Sequence, residues 1–229
     1  MEYLYENFTF PPDQSFTIRS QFIELKKYAE FRCHINYELS SIENCFGKRF
    51  IGDHIEEFKD SDLILIGSYL PHCWQYYKAV DPTIQPHATI IHFFPEFMGK
   101  ELLTKPEASH LQELFRNAAR GIRFSGTTVT EAKMLMQQML FTKGLHRVSL
   151  MLRLLDVLAS SKNYKILATP GFNSVENSDY ADKINLIYEY IFKNFPNEIS
   201  LPKVAALVHL TPAAFCRFFK LRTNRTLID

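Results

Sequence analysis

A change of period at Pro95 constrains the fold more than any other feature of this chain. Upstream, turn-forming residues recur at short intervals: Pro11-Pro12-Asp13, Phe46-Gly47-Lys48, Gly52-Asp53, Lys59-Asp60-Ser61-Asp62, Gly67-Ser68 and Asp81-Pro82. Between them lie runs rich in β-branched and aromatic residues, such as Lys48–Ile51, Leu63–Ile66 and Ala88–Phe94. Many short strands with even turn spacing predict a sandwich, jelly roll or small barrel. Downstream, apolar residues follow helical spacing. Ser109–Arg120 carries Leu111, Leu114, Phe115 and Ala118, with Ser109 placed to cap it and Gly121 to end it. Thr130–Lys143 repeats the pattern before Gly144, and Val148–Ser160 continues it.

Composition narrows the class. Of 229 residues, 46% are hydrophobic and 22% charged, the balance of a folded chain rather than a disordered one. No stretch approaches the length of apolar sequence that spans a bilayer, and the start lacks a basic segment followed by an apolar one. Cys33, Cys45, Cys73 and Cys216 are widely spaced, without a C-x-x-C pair. Reduced thiols in a cytoplasmic protein with no membrane contact are therefore expected.

Ser, Asn, Pro and Gly accumulate over 161–180, which reads as a linker with a domain boundary near 170–180. Beyond it, Asp182–Phe195 is apolar along one side and stops at Pro196. Ser200 then caps a short helix, Leu201–Val208, with Pro202 in its first turn. Thr211 and Pro212 open another that runs to Phe219 or Leu221. Two helices about three residues apart are a helix-turn-helix arrangement. Ala205 provides the small residue at their crossing, while Val204, Val208, Leu210, Phe215 and Phe218 provide apolar contacts. His209 stands where such turns often carry Gly. From Ile199 to Arg225 there are five basic residues and no acid, although the whole chain has a net charge of only +1. That asymmetry fits either a solvated helix face or an anionic partner, double-stranded DNA first among them. Thr211, Ala213, Ala214, Arg217, Lys220, Arg222 and Arg225 are the candidate DNA-binding residues, Arg217 reading a base edge and the later bases contacting phosphates.

The segment from Ile199 to Lys220, with its Thr211-Pro212 start, Phe215 and Arg217-Phe218-Phe219-Lys220 run, and the following Thr223-Asn-Arg-Thr-Leu227, resembles the first helix-turn-helix of AraC/XylS-type transcription regulators. That family carries two such units joined by a long helix. By the resemblance this chain ends, at Asp229, where that helix should begin, and weak, largely non-specific DNA binding is expected of it. Upstream, Asp62-Leu-Ile-Leu-Ile-Gly67, Leu70-Pro-His-Cys-Trp74 and Ala119-Arg-Gly-Ile-Arg-Phe-Ser-Gly126 resemble the sensor half of members with a cupin-like jelly roll. The resemblance implies a small-molecule effector, a sugar or other metabolite, in the barrel and a homodimer formed through the sensor half.

The expected fold is thus α+β and multi-domain. A cupin-like jelly roll (1–105) precedes a helical dimerisation subdomain (106–165), a linker (166–179) and an all-α, partial helix-turn-helix (180–229). Cupin enzymes hold a metal with H-x-H-x3–4-E and a later His. Here the stretch reads Arg32-Cys-His34-Ile-Asn-Tyr-Glu38, with His72 later, so an arginine that cannot ligate occupies one imidazole position. A three-residue remnant (His34, Glu38, His72) competes with a metal-free pocket lined by Arg32, His34, Glu38, His72 and Trp74, and with a simply packed barrel. The expectation is the metal-free ligand site, with no cofactor and no catalysis. A cupin-type metal-dependent enzyme with a helical tail is the alternative. His54, His87, His92, His110 and His146 read as surface or core histidines. Met134, Leu135, Met136, Met139 and Leu140 nearly encircle their helix, which suggests that Thr130–Ser160 meets a second copy.

Overall fold

A computed structural model of the protein describes residues 3–5, 8, 10–25, 31–173, 199–223, 226 and 227, together with six positions between 183 and 194. Nine strands form one sheet: β1 (Tyr3–Tyr5), β2 (Phe16–Phe22), β3 (Phe31–Cys33), β4 (Tyr37–Ile51), β5 (His54–Ile66), β6 (His72–Ala79), β7 (His87–Phe93), β8 (Ile122–Phe124) and β9 (Tyr164–Ile166). The helices among the described residues are α1 (Lys100–Leu103), α2 (Ser109–Ala118), α3 (Thr127–Leu140), α4 (Gly144–Ala159), α5 (Leu201–Leu207) and α6 (Pro212–Thr223).

The long strand β4 organises the sheet. It pairs β5 along most of its length; its first half also pairs β7, and its second half β6. The change of neighbour occurs where the β4–β5 register shifts between Ile42 and Cys45. Asn44 and Asp60 both take left-handed backbone there (φ 55° and 56°), and the Asn44 amide donates to Asp60 Oδ1 at 3.1 Å. An extra residue in one strand bends and twists the pair. The expected turn at Lys59–Asp62 is therefore continuous strand within β5, opposite the extra residue of β4. The expected turn at Phe46–Lys48 also lies within a strand. Gly47 is there because a Cβ would run into the Gln75 carbonyl and the Phe58 ring.

The sheet consequently rolls up. His72 pairs with Ile51 at the far end of β4 from Glu38, a span of about 40 Å along a straight strand. Yet His72 Nε2 lies 3.6 Å from Glu38 Oε2. Two cores result. The run Leu63-Ile-Leu-Ile66 is buried on both faces: Ile64 and Ile66 join Ile42, Ile51, Phe58 and Trp74 inside, while Leu63 and Leu65 face the helices. On that outer side α2, α3 and α4 contribute Leu114, Phe115, Leu135, Met139, Leu154 and Leu158 to one continuous core with the sheet.

Helix positions follow the sequence reading with shifted ends. Ala108, the last residue of a 3-10 turn, precedes α2 in place of a Ser109 cap. Gly121 adopts φ 70°, where a Cβ would meet Ile51 Cγ2 at 2.5 Å. Gly144 starts α4 rather than only ending α3. The stretch 106–165 also holds β8 and β9, which extend the edge of β5. The linker expected at 166–179 is described only to Asn173 and includes a 3-10 turn at Pro170–Asn173. The helix expected over 182–195 lies largely outside the described residues; the described positions within it are helical. None of the described helices is long and apolar enough to cross a membrane.

Candidate functional site

The inner face of the rolled sheet carries a cluster of three imidazoles around one carboxylate. Glu38, near the start of β4, sits directly opposite His92 in the β4–β7 ladder. Cross-strand partners project to the same face, and His92 Nε2 approaches Glu38 Oε2 at 2.9 Å. His34 lies in the bend before β4. Its Nδ1 donates to the Asn36 carbonyl at 2.9 Å, leaving Nε2 3.1 Å from the same Oε2. His72 opens β6; its Nδ1 donates to the Leu70 carbonyl at 2.8 Å, and its Nε2 is the atom 3.6 Å from Oε2. Ser40, two residues along β4, donates to the other oxygen, Oε1, at 2.5 Å. The three histidines are each 1% exposed and Glu38 6%. Phe8 stacks on the His92 ring (centroids 3.9 Å apart) and meets His34 edge-on, with the Arg19 guanidinium over its other side.

Burial pushes the Glu38 carboxyl up, but the charge of His72 and the hydrogen bonds from the three imidazoles outweigh it and hold the group well below its usual range. Burial lowers His34, reinforced by the neighbouring rings of His72 and His92 and opposed by Glu38. Imidazole nitrogens and a carboxylate oxygen are donor types that suit a transition-metal ion. Among the described residues His34, Glu38 and His72 have ligand atoms within 4.8 Å of one another.

The residues named from sequence fall into two groups. His34, Glu38 and His72 come together as expected. Residues 32, 34 and 38 do not share one strand: Arg32 belongs to β3, where it pairs across the ladder with His72. Arg32 is half-buried. Trp74 faces inward, 5.7 Å from the His72 ring, but it packs in the apolar core and its Nε1 lies 3.5 Å from Asp62 Oδ2. Asp62 in turn accepts from Arg49 at 2.8 Å, both side chains fully buried, and Arg49 also pairs with Glu56. His92, expected as a surface or satisfied core histidine, is a buried one whose partner is Glu38. Strand alternation through Ala88, Ile90 and His92 carries the signal, but only the β7–β4 register shows what His92 meets.

At the other end of the chain, α5 and α6 pack through Val204, Ala205, Val208, Phe215 and Phe219, with Ile187 from the preceding segment. Phe219, one turn from Phe215, is buried as well and stacks on it at 5.4 Å. Phe218 packs only partly buried. Thr211 Oγ1 accepts from the Ala214 amide at 3.3 Å, the expected cap, whereas Ser200 precedes α5 in extended backbone without a side-chain cap bond. His209 takes φ 57° in the turn. Thr211, Ala213, Arg217 and Lys220 are exposed and Ala214 is half-buried. Arg222 lies in the last turn of α6, and Arg225 lies outside the described residues.

No family model matches this chain, and no curated protein matches it. Solved structures with a similar outline include ToxT from Vibrio cholerae O395, 11% identical over 93% of this chain and 95% of that one, with a TM-score of 0.41. The AraC-like transcriptional activator CuxR is 9% identical over 81% of this chain and 60% of its own, at 0.37. A cupin 2 barrel protein from Rhodopseudomonas palustris is 14% identical, at 0.31; the match spans 38% of this chain and 57% of that protein. None of these likenesses carries an argument about function.

Proposed function

We propose that the chain is a sequence-specific DNA-binding transcription regulator of the AraC/XylS kind, governed by a small effector held inside the rolled sheet. The observation that carries this reading is α6. It is capped by Thr211 and anchored inward by Phe215 and Phe219, and it presents Ala213, Arg217 and Lys220 on its exposed side. Short side chains flanked by bases suit close approach to a major groove. The resemblance of Ile199–Leu227 to the first helix-turn-helix of that family supports the same assignment. The effector half rests on the inward-facing cluster of His34, Glu38 and His72, with Arg32 and Trp74 beside it. A ligand there regulates only if it favours one domain arrangement over another.

Dimerisation belongs to this reading as a proposal. Within α3, Leu135, Met136 and Met139 are covered by the chain itself. Met134 and, at the α3–α4 connection, Phe141 (87% exposed) and Leu145 (83%) are not. These three are the residues we assign to a second copy.

The test is anisotropy titration against DNA fragments selected from a random pool. Arg217→Ala is expected to lose about 1–3 kcal/mol on the selected sequence and relax one base pair. Lys220→Ala is expected to weaken all sequences alike and flatten the salt slope. No retention of any DNA at low salt would overturn the reading. A cupin-type enzyme is the second reading, favoured by the imidazole–carboxylate cluster; it requires turnover of a substrate at that cluster.

A further inference from the structure

We infer that the cleft between α2, the end of α4 and the β8–β9 edge binds a small zwitterion, a free amino acid or dipeptide with an apolar side chain. The cleft holds about 440 Å³, a volume typical of small-ligand pockets. It opens on the outer face of the sheet, where Ile122 and Phe124 meet the helices, and none of the residues around Glu38 lines it. The site stands apart from the proposed effector position and does not rest on the regulator reading.

Two reversals of the chain at one sheet edge build the walls. α2 ends at Ala118, and Gly121 turns the chain into β8; α4 ends at Ala159, and 160–163 lead into β9. His110 Nε2 lies 3.0 Å from Asp156 Oδ1 and joins α2 to α4 beside the cleft. Ser161 Oγ, 2.7 Å from Thr128 Oγ1, accepts from the Asn163 amide at 3.1 Å, and the Asn163 carbonyl accepts from the Ser125 amide at 2.9 Å. The chain on both sides of Lys162 is therefore held before a ligand arrives, which lowers the ordering cost of binding.

Four polar side chains line this fixed frame without a hydrogen bond or ion pair of their own among the described residues. They are Glu113 and Asn117 on α2, Lys162 in the turn and Tyr164 at the start of β9. Two charges just outside the cleft are matched: Asp156 by His110 and Lys165 by Glu56. One anion and one cation facing the same cleft set the charge of its guest. A simple anion would meet Glu113 and a simple cation Lys162, whereas a molecule with both an ammonium and a carboxylate offers each its counter-charge. Asn117 can donate to the carboxylate and accept from the ammonium. Beneath them Leu114, Ile122, Phe124 and Leu158 are nearly closed off, while the Tyr164 ring is 42% exposed and leans on Phe124 with centroids 6.5 Å apart. An aliphatic or aromatic side chain covers that ring. Because both charges stand in solvent, affinity falls in the micromolar to millimolar range.

The experiment titrates the full chain with L-phenylalanine, L-leucine and leucyl-phenylalanine by saturation-transfer NMR and calorimetry. Beside them run the N-acetyl forms, which lack the ammonium, and the amide forms, which lack the carboxylate. Saturable one-to-one binding of at least one zwitterion is expected, at least tenfold tighter than that of either blocked form. Glu113→Gln and Lys162→Gln should each weaken that zwitterion at least fivefold, and Glu113→Gln should also abolish its advantage over the N-acetyl form. Arg116→Gln, exposed on α2 outside the cleft, should leave binding within about twofold. All three positions are exposed, so folded variants are expected, and circular dichroism checks them. Failure of every zwitterion to bind folded wild-type chain overturns the proposal, as does equal binding of the blocked forms. Binding that survives Glu113→Gln and Lys162→Gln but falls in Glu38→Gln would move the guest into the rolled sheet and overturn the cleft. DNA binding enters none of these readouts, so the regulator reading can fail with the cleft intact, and the reverse.

Discussion

The inner face of the rolled sheet holds two buried polar groups that differ in how they are completed. Around Asp62, donors meet acceptors: Arg49 Nη1 supplies Oδ1, Trp74 Nε1 faces Oδ2, and Arg49 reaches Glu56 with its other nitrogen. Around Glu38, three imidazoles crowd one oxygen, Oε2, while Ser40 donates to the other. Both groups are buried and both draw on β4, so the contrast comes from chemistry rather than location. The Arg49–Asp62 pair is matched in charge, although Arg49 Nε has no partner among the described residues. The Glu38 carboxylate has no permanent cation beside it among the described residues and owes its charged form to imidazoles, whose own charge is conditional.

That contrast can be broken by substitution, beginning where the effect is largest. Arg49→Met leaves Asp62 buried with Arg123 Nε and Trp74 Nε1, each 3.5 Å away, as its remaining partners among those described. A loss of about 3–5 kcal/mol in denaturant unfolding is expected, and the double variant with Asp62→Leu should recover most of it. A loss below about 1 kcal/mol for Arg49→Met would show that the pair is not what completes this end of the barrel. Ser40→Ala comes next. It removes the 2.5 Å donor from a charged oxygen with no water to replace it, so about 1.5–3 kcal/mol should disappear from the melting profile. The smallest effect is expected at the cluster's centre. Glu38→Gln removes a charge that the imidazoles hold well below its usual range, so about 1 kcal/mol should be lost at neutral pH, with the difference from wild type shrinking as the pH falls through the acid range. A collapse as large as that of Arg49→Met would mean that Glu38 is a structural ion-pair partner after all.

Sequence patterns showed much of this arrangement. The three outer helices follow from the spacing of Leu111, Leu114, Leu135, Met139, Leu154 and Leu158, and the α5–α6 turn from Thr211 and Pro212. His34, Glu38 and His72 could be singled out because their residue types suit a ligand site. Three things were hidden. Lys59–Asp62 has turn-like composition, yet these residues continue β5 opposite the extra residue of β4. That Phe219 is buried more deeply than Phe218 depends on a phase difference of one residue within α6, which a short helix does not fix from its composition. His92 has an ordinary strand context, and its role exists only through register with a strand some fifty residues earlier.

The bulge at Asn44 and Asp60 has a consequence for the order of events in folding. The cluster gathers residue 34 from one bend, 38 from β4, 72 from β6 and 92 from β7, so no local segment contains it. Long-range pairings of this kind are slow to form, since chain ends must be brought together before any contact rewards the closure. Until β4 has bent and β7 has zipped onto it, the four side chains belong to separate strands. A chain emerging from synthesis therefore has no such cluster before residue 92 is free to pair. Anything that binds only the assembled cluster selects molecules whose sheet has already closed, and slows reopening by stabilising that state alone.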